Sequence, residues 1–380
     1  MKKNIKVALV HDWLVTMGGA EKVLWQFHLL FPQAPIYTLV YDSNCGHGMF
    51  EDCDVRTTWL QKIPFATKLY KNMLTLMPSA WEQLDLTEYD LVLSSCSSCC
   101  KGIITRPDAV HICYCHTPTR YVWDFYYQYL KNASALKKLL MPRMIHKMKI
   151  WDQLAANRVD YFISNSNFIA QRIKKYYRRD AKTIYPPVHI NEYPLVDEPD
   201  DYYLLVSRFV YYKRIDIAIE ACNKLQRKLV IIGGGDEEKK LRAMAGPTIK
   251  FAGRMNDEEM MQYYVHAKAF LFPGEEDFGI TPVEAQSAGC PVLAYGRGGA
   301  LETVLDGKTG LFFAQQTAES MAQCICEFEK SGVAYSRGEI REHSFSFSEQ
   351  RFRKEIQTTC ANQVAIMNKK QRITDGICQI

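Results

Sequence analysis

The feature that most constrains this chain is an alternation, run through twice, of short apolar segments with longer amphipathic ones. In the first half, IKVALVH (5–11), PIYTLVY (35–41), YDLVLSS (89–95), AVHICYCH (109–116) and YFISNS (161–166) are apolar nearly throughout. In the second, YYLLVSRF (202–209), KLVIIGG (228–234), IKFAG (249–253), AKAFLFPG (267–274) and CPVLAYG (290–296) share that character. A strand that is apolar on both faces must be covered on both, which is the state of a parallel sheet between layers of helices. Between the halves, PPVHINEYPLVDEPDD (186–201) holds four prolines, five acids and no helical period, and reads as a linker. At 380 residues the chain is too long for one core. The expectation is α/β, with two doubly wound domains facing across a cleft. In such sheets ligands bind beyond the carboxyl ends of the strands, so functional residues are sought there.

Composition removes several alternatives. No apolar run approaches the ~20 residues of a spanning helix. The opening MKKNIKVALVHDWL is basic, but its apolar part is cut by Lys6 and runs into His11 and Asp12, so it reads as a first strand rather than an export signal. Thirteen cysteines without such a signal suggest reduced thiols and a cytoplasmic protein. A formal charge of +5 is too small to argue for nucleic acid. Its distribution is uneven: residues 1–185 carry 24 Lys and Arg against 15 Asp and Glu, whereas residues 186–380 carry 23 against 27. The first half is the half suited to an anionic surface or substrate.

In that half, Gly18 and Gly19 stand where a loop enters a helix beginning near Ala20. Glycines there let backbone N–H groups approach a phosphate. The alternative is a plain turn, since neither G-x-G-x-x-G nor the G-x-x-x-x-G-K-[ST] phosphate loop is present. Cys96, Cys99 and Cys100 with HICYCH (111–116) raise a zinc site, but strand alternation and the apolar surroundings favour buried thiols. His116 falls at a strand's carboxyl end, before Thr117-Pro118-Thr119-Arg120, and is a candidate for substrate contact. Two stretches, 57–81 and 129–151, are basic and apolar together. Either they pack on the sheet with solvated lysines, or Trp59, Leu60, Phe65 and Leu140 face outward toward an anionic membrane surface.

In the second half, Arg208 ends a strand and Lys213 follows five residues later, two cations at one loop mouth that suit a diphosphate. Gly233-Gly234-Gly235 makes a strand-to-helix turn, with Glu238 where a dinucleotide fold would need glycine. In FPGEEDFGITPVEAQ (272–286), Glu276 and Glu284 are separated by seven residues. Gly279, Ile280 and Thr281 can present N–H groups at a helix start, and Glu284, about one turn in, can accept from ribose hydroxyls.

Together these motifs resemble the family 4 retaining glycosyltransferases. The E-x7-E pair Glu276 and Glu284 around D-F-G-I, the SRF…K pair, IIGGGDEEKKL and GGALETVLDGKTGLFF occur in that family's order. HDWLVTMGGAEKVL and YCHTPTRYVWD resemble its bacterial mannosyltransferases of O-antigen and exopolysaccharide synthesis. The resemblance implies the GT-B fold: a Rossmann-like acceptor domain over 1–188, a Rossmann-like donor domain over 202–345, and a helix over 346–365 crossing back to the first domain. It implies a nucleotide-diphosphate sugar donor, with GDP-mannose the first choice, and a lipid-linked or oligosaccharide acceptor. Gly18 and Gly19 would lie against the diphosphate and Arg208 and Lys213 would neutralise it. Glu284 would hold the ribose, Glu276 the sugar hydroxyls, and the backbone through Gly279, Ile280 and Thr281 would cap sugar and phosphates. His116 would lie near the reacting carbon. No acidic metal motif stands out, so the reaction is expected to need no metal or other cofactor. A synthase with a soluble acceptor, a nucleotide-sugar 2-epimerase and a non-catalytic binding module are the rivals. The enzyme is expected in the cytoplasm, peripheral on the inner face of the membrane.

Overall fold

The computed structural model describes residues 5–124, 126–131, 134–190, 193–330 and 335–377. The chain divides into two compact units. One holds the residues up to Pro187 together with those from Phe352 onward; the other is Val188–Arg351.

The first unit is built on seven parallel strands: β1 (Val7–His11), β2 (Ile36–Thr38), β3 (Val55–Thr57), β4 (Leu91–Cys96), β5 (Val110–Cys115), β6 (Tyr161–Ser164) and β7 (Ala181–Thr183). They lie in the order β3-β2-β1-β4-β5-β6-β7. The second unit has six: β8 (Tyr203–Arg208), β9 (Leu229–Gly234), β10 (Ile249–Gly253), β11 (Ala269–Phe272), β12 (Val292–Tyr295) and β13 (Gly310–Phe313), ordered β10-β9-β8-β11-β12-β13. Strand order reverses between β1 and β4 and again between β8 and β11. At such a point the connecting helices leave on opposite faces and a crevice opens at the carboxyl edge.

The alternation read from the sequence holds inside the strands. In β5, Ile112 and Tyr114 enter one core with Leu24 and Phe27, whereas Cys113 and Cys115 enter the core on the other face with Trp81 and Met148. Three strands escaped the sequence reading, and all three are sheet edges: β3 (VRT), β7 (AKT) and β13 (GLFF). The first two are half-buried at best and carry a charge at mid-strand, so they lack the apolar run that marks a central strand.

Two connections also differ from expectation. Residues 193–201 are not a loose tether, because Tyr193 and Val196 pack on the second unit's core and the Asp200 amide donates to the His266 carbonyl at 2.8 Å. The last helix, Glu349–Ile377, extends well beyond 365. Phe352, Ile356, Cys360 and Val364 recur every four residues along it and are buried in the first unit's core. Phe352 stacks on Phe27 at 5.9 Å between ring centres and meets Tyr114 edge-on at 5.7 Å. Burial of a large apolar side chain contributes about 1.5–3 kcal/mol, so this helix is part of the first unit's stability.

Candidate active site

The second sheet gathers its charged groups where β8 and β11 end. Arg208 is the last residue of β8, and the chain then turns through a short 3-10 segment, Tyr211–Lys213, before the helix Ile215–Leu225. Arg208 Nη2 donates to the Tyr212 hydroxyl at 3.2 Å. Lys213 Nζ lies 5.8 Å from the Tyr212 ring centre and forms an ion pair with Glu276 Oε1. Arg208, Lys213 and Glu276 are thus brought together, with Tyr212 between the two cations. Tyr212 is a member that sequence reasoning missed; its position between Arg208 and Lys213 was the available signal.

The loop carrying Glu276 is held by glycine packing. A Cβ on Gly299 would sit 2.3 Å from the Phe278 backbone, and the Gly299 amide donates to the Glu276 carbonyl at 2.8 Å. Gly279, at φ +87°, turns the chain into the helix Ile280–Ser287, which starts one residue before Thr281. The left-handed conformation suits glycine and directs the amides of the first turn out of the helix end. Glu284 lies one turn in, where the buried Tyr264 hydroxyl donates to its Oε2 at 3.5 Å.

The first unit has its own carboxyl edge. His11 ends β1, and Gly18, in extended conformation, caps the helix Gly19–Leu30. Just past β5, His116 lies half-buried, its amide bonded to the Cys96 carbonyl at 2.8 Å. Ser95 Oγ, on β4 between them, is 2.8 Å from His116 Nε2 and 3.4 Å from the Ala20 carbonyl. The structure therefore joins His116 to the start of the glycine-led helix through one hydroxyl. Glu21, in that helix's first turn, sets its carboxylate 3.4 Å from His11 Nε2 and close behind Gly18.

Two buried charges in this edge were not anticipated. Asp12 accepts the amides of Ser97, Ser98, Cys99 and Cys100 at 2.7–2.8 Å, two on each oxygen. Burial pushes Asp12 up to about 6, with Cys96 adding to the effect, and the carboxylate form prevails at neutral pH. Asp12, Cys96 and Cys100 are the one set of three metal-ligating groups close together among the described residues. Each Asp12 oxygen takes two amides, so the carboxylate clamps the loop that follows β4. Burial also pushes Cys99 up to about 12, so that thiol stays protonated.

The second charge is Lys101. Its ammonium, 1% exposed, meets Asp152 Oδ1 at 2.5 Å and the Ser98 carbonyl at 2.7 Å. Asp152 also accepts from Thr119 at 2.8 Å, Trp123 at 2.7 Å and Tyr177 at 2.8 Å. The network ties the loops after β4 and β5 to the helices Ala135–Asn157 and Asn167–Tyr177.

The pattern of the family described as Glycosyltransferase Family 4 matches residues 17–192, and that of Glycosyl transferases group 1 matches residues 190–344. The chain belongs to the family 4 glycosyltransferases. Among relatives of this glycosyltransferase, the alpha-1,3/1,6-mannosyltransferase ALG2 of Kluyveromyces lactis is 26% identical, the match spanning 79% of this chain and 71% of the relative. The O-antigen chain mannosyltransferase C of Escherichia coli is 24% identical over 73% of this chain and 76% of its own. Among solved structures, Anabaena HepE in complex with UDP and glucose superposes with a TM-score of 0.70 at 18% identity, covering 94% of this chain and all of the other. That likeness carries the fold, GT-B.

The glycosyltransferase presents apolar side chains outward on both basic stretches of its first unit. Trp59, Phe65, Leu69 and Leu76 are exposed beside Lys62, Lys68 and Lys71. On the helix Ala135–Asn157, Leu139, Leu140, Met144, Ile150 and Leu154 are exposed beside Lys138, Arg143 and Lys147. Leu60 is an exception to the outward-facing set: it is buried in the core. The inner sides of both stretches share that core, with Tyr70 and Met77 from one and Ile145 and Met148 from the other. No helix among the described residues is long and apolar enough to cross a membrane.

Proposed function

We propose that this glycosyltransferase is a retaining, metal-independent mannosyltransferase that moves mannose from GDP-mannose to a lipid-linked glycan at the cytoplasmic, anionic surface of a membrane. The observation that carries the donor site is the convergence of Arg208, Tyr212, Lys213 and Glu276 at the ends of β8 and β11. The mannosyl assignment draws on the two mannosyltransferase relatives, and the guanine base on resemblance.

In the proposed reaction the bond between the anomeric carbon and the diphosphate oxygen breaks as the acceptor oxygen bonds to the same face of that carbon. The acceptor's proton passes to the leaving diphosphate. Negative charge builds on the diphosphate, and Arg208 and Lys213 stabilise it without a metal, helped by the amides of Gly279, Ile280 and Thr281. In the first unit, the glycine-led helix start at Gly18 and Gly19 is itself suited to a phosphate. Glu284 holds the ribose, Glu276 the sugar hydroxyls, and His116 sits by the reacting carbon. Lys213 is held by Glu276 and becomes available to phosphate as Glu276 turns to the sugar.

The acceptor assignment is supported by the exposed apolar and basic side chains of the first unit. Such side chains draw a protein to anionic lipid, where a lipid-linked acceptor resides. Incubation with a panel of sugar nucleotides, measuring slow donor hydrolysis and then transfer to a polyprenyl-linked glycan, tests the reading. Turnover of GDP-mannose above the other donors is expected; preference for another sugar, or for a soluble acceptor, overturns the corresponding part.

A further inference from the structure

We propose that Ser95 is a positioning residue for His116, holding its imidazole as the neutral Nε2–H tautomer and in register with the Gly18–Gly19 helix start. This rests on the reading above that His116 serves sugar transfer.

The argument begins with one hydrogen. Ser95 Oγ lies 3.4 Å from the Ala20 carbonyl and 2.8 Å from His116 Nε2. A carbonyl can only accept, and a serine hydroxyl has one hydrogen to donate. For both contacts to be hydrogen bonds, Ser95 must donate to Ala20 and accept from His116. Nε2 then carries the ring's hydrogen and Nδ1 is the acceptor nitrogen. The second nitrogen's role is set by the partner of the first.

Position supports the assignment. Ser95 pairs with His11 across β1 and with Tyr114 across β5, so it sits on the strand between the two ends that carry the site. It is fully buried, which keeps water from substituting for the hydroxyl. The Tyr114 ring meets the His116 ring edge-on at 5.1 Å and limits its rotation. The His116 carbonyl is held by Asn165 Nδ2 at 2.9 Å. The imidazole is therefore fixed at backbone, ring face and Nε2.

The fold supplies its own control. One residue earlier, Ser94 Oγ lies 2.8 Å from His111 Nε2. Residues 94 and 111 are completely buried, on the opposite face of the sheet, away from the carboxyl edge. The same couple thus occurs once where it can only support the core and once at the site.

The test uses the full-length protein with 15N-labelled histidine. Nitrogen–proton correlation spectra should show His116 as the Nε2–H tautomer, and Ser95→Ala should convert it to a tautomer mixture, whereas Ser94→Ala should leave His116 unchanged. With GDP-mannose and acceptor, Ser95→Ala should lower kcat about 10- to 100-fold, the usual range for loss of a supporting hydrogen bond, with donor KM changed less than about threefold. Ser95→Thr, which keeps the hydroxyl, should restore most of the rate. An Nδ1–H tautomer in the parent protein overturns the proposal, as does a kcat in Ser95→Ala equal to that of Ser94→Ala. His116→Ala separates the two levels. If that variant transfers sugar normally, the role of His116 itself falls; if it is inactive while the tautomer is wrong, only the role of Ser95 falls.

Discussion

Lys213 and Glu276 face each other as an ion pair at the mouth between β8 and β11, each about four-fifths buried. In the proposed reaction one serves the donor's phosphates and the other its sugar. The pair keeps each pre-set by the other, so neither bears the full cost of a largely buried charge alone.

Replacing Lys213 or Arg208 by Ala should remove stabilisation of the leaving diphosphate. A loss of about 2–4 kcal/mol, roughly 30- to 1000-fold in kcat/KM, is expected for each. Glu276→Gln should leave Lys213 without its counter-charge and slow transfer more than it weakens donor binding. Steady-state kinetics on the three variants checks this, and near-normal turnover in the Arg208/Lys213 double variant would exclude the clamp.

Chelation should not stop the reaction. With Arg208 and Lys213 taking the charge of the leaving group, excess EDTA should leave the initial rate unchanged within about twofold. Loss of activity that manganese or magnesium restores contradicts this, and elemental analysis checks the Asp12, Cys96 and Cys100 cluster for bound zinc.

Vesicle binding should depend on the outer face of the helix Ala135–Asn157. Lys149 is unsuited to the test because its ammonium lies over Trp123 at 5.8 Å and Tyr126 at 5.1 Å, and the side chain of Lys137 lies outside the described residues. Lys138, Arg143 and Lys147 are exposed. Changing these three to Glu should weaken partitioning onto anionic vesicles about 100-fold, at about 1 kcal/mol per basic residue, and donor hydrolysis should persist. Binding to the vesicles should also fall as salt rises. Flotation of parent and variant at low and high salt measures both.

The buried pair Lys101 and Asp152 makes a stability prediction. Removing one partner, as in Asp152→Ala, strands a charge and should cost about 3–5 kcal/mol. The double change Lys101→Met with Asp152→Leu should cost less than the sum of the single changes. Denaturant melts of the four proteins give the coupling energy, and strict additivity would count against the pair.

Acid should destabilise the first unit through His111. Burial lowers this imidazole to about 4 from its ordinary 6.5. Its neutral form is the folded form, so the unfolded chain binds the extra proton between those values. Stability is full above pH 6.5 and is lost as pH falls toward 4, by about 2 kcal/mol between pH 7 and pH 5. Asp12, raised to about 6 in the fold, acts in the opposite sense over this range. Urea melts of the parent and of His111→Gln at the two pH values are therefore compared, and their difference should change by this amount.

Central strands were legible because they are apolar on both faces. The edge strands β3 and β7 were not, since Arg56 and Lys182 sit at their middles. Among candidate site residues, the places of Arg208, Lys213, Glu276 and Glu284 at strand ends and helix starts were legible. Asp12 was not, because its partners are backbone amides more than eighty positions away, and an amide leaves no trace in residue identity. Asp152 sits in a helix rich in lysine and reads locally as a solvated charge; its buried partner lies 51 positions earlier. The facing of Trp59 and Leu60 was equally hidden, since neighbours in a 3-10 turn take opposite environments with no period long enough to read.

Phe352, Ile356, Cys360 and Val364 are synthesised only after the whole of the second unit, yet they complete a core begun by Leu9, Phe27 and Tyr114. The nascent first unit therefore waits, with one apolar face uncovered, while the whole of the second unit is synthesised. At about 5–20 residues per second, the stretch from residue 188 to 351 takes about 10–30 seconds. During that interval the face around Phe27 and Tyr114 is a natural target for a holding chaperone. Early termination within the helix Glu349–Ile377 would release a chain with a finished second unit and an unfinished first one.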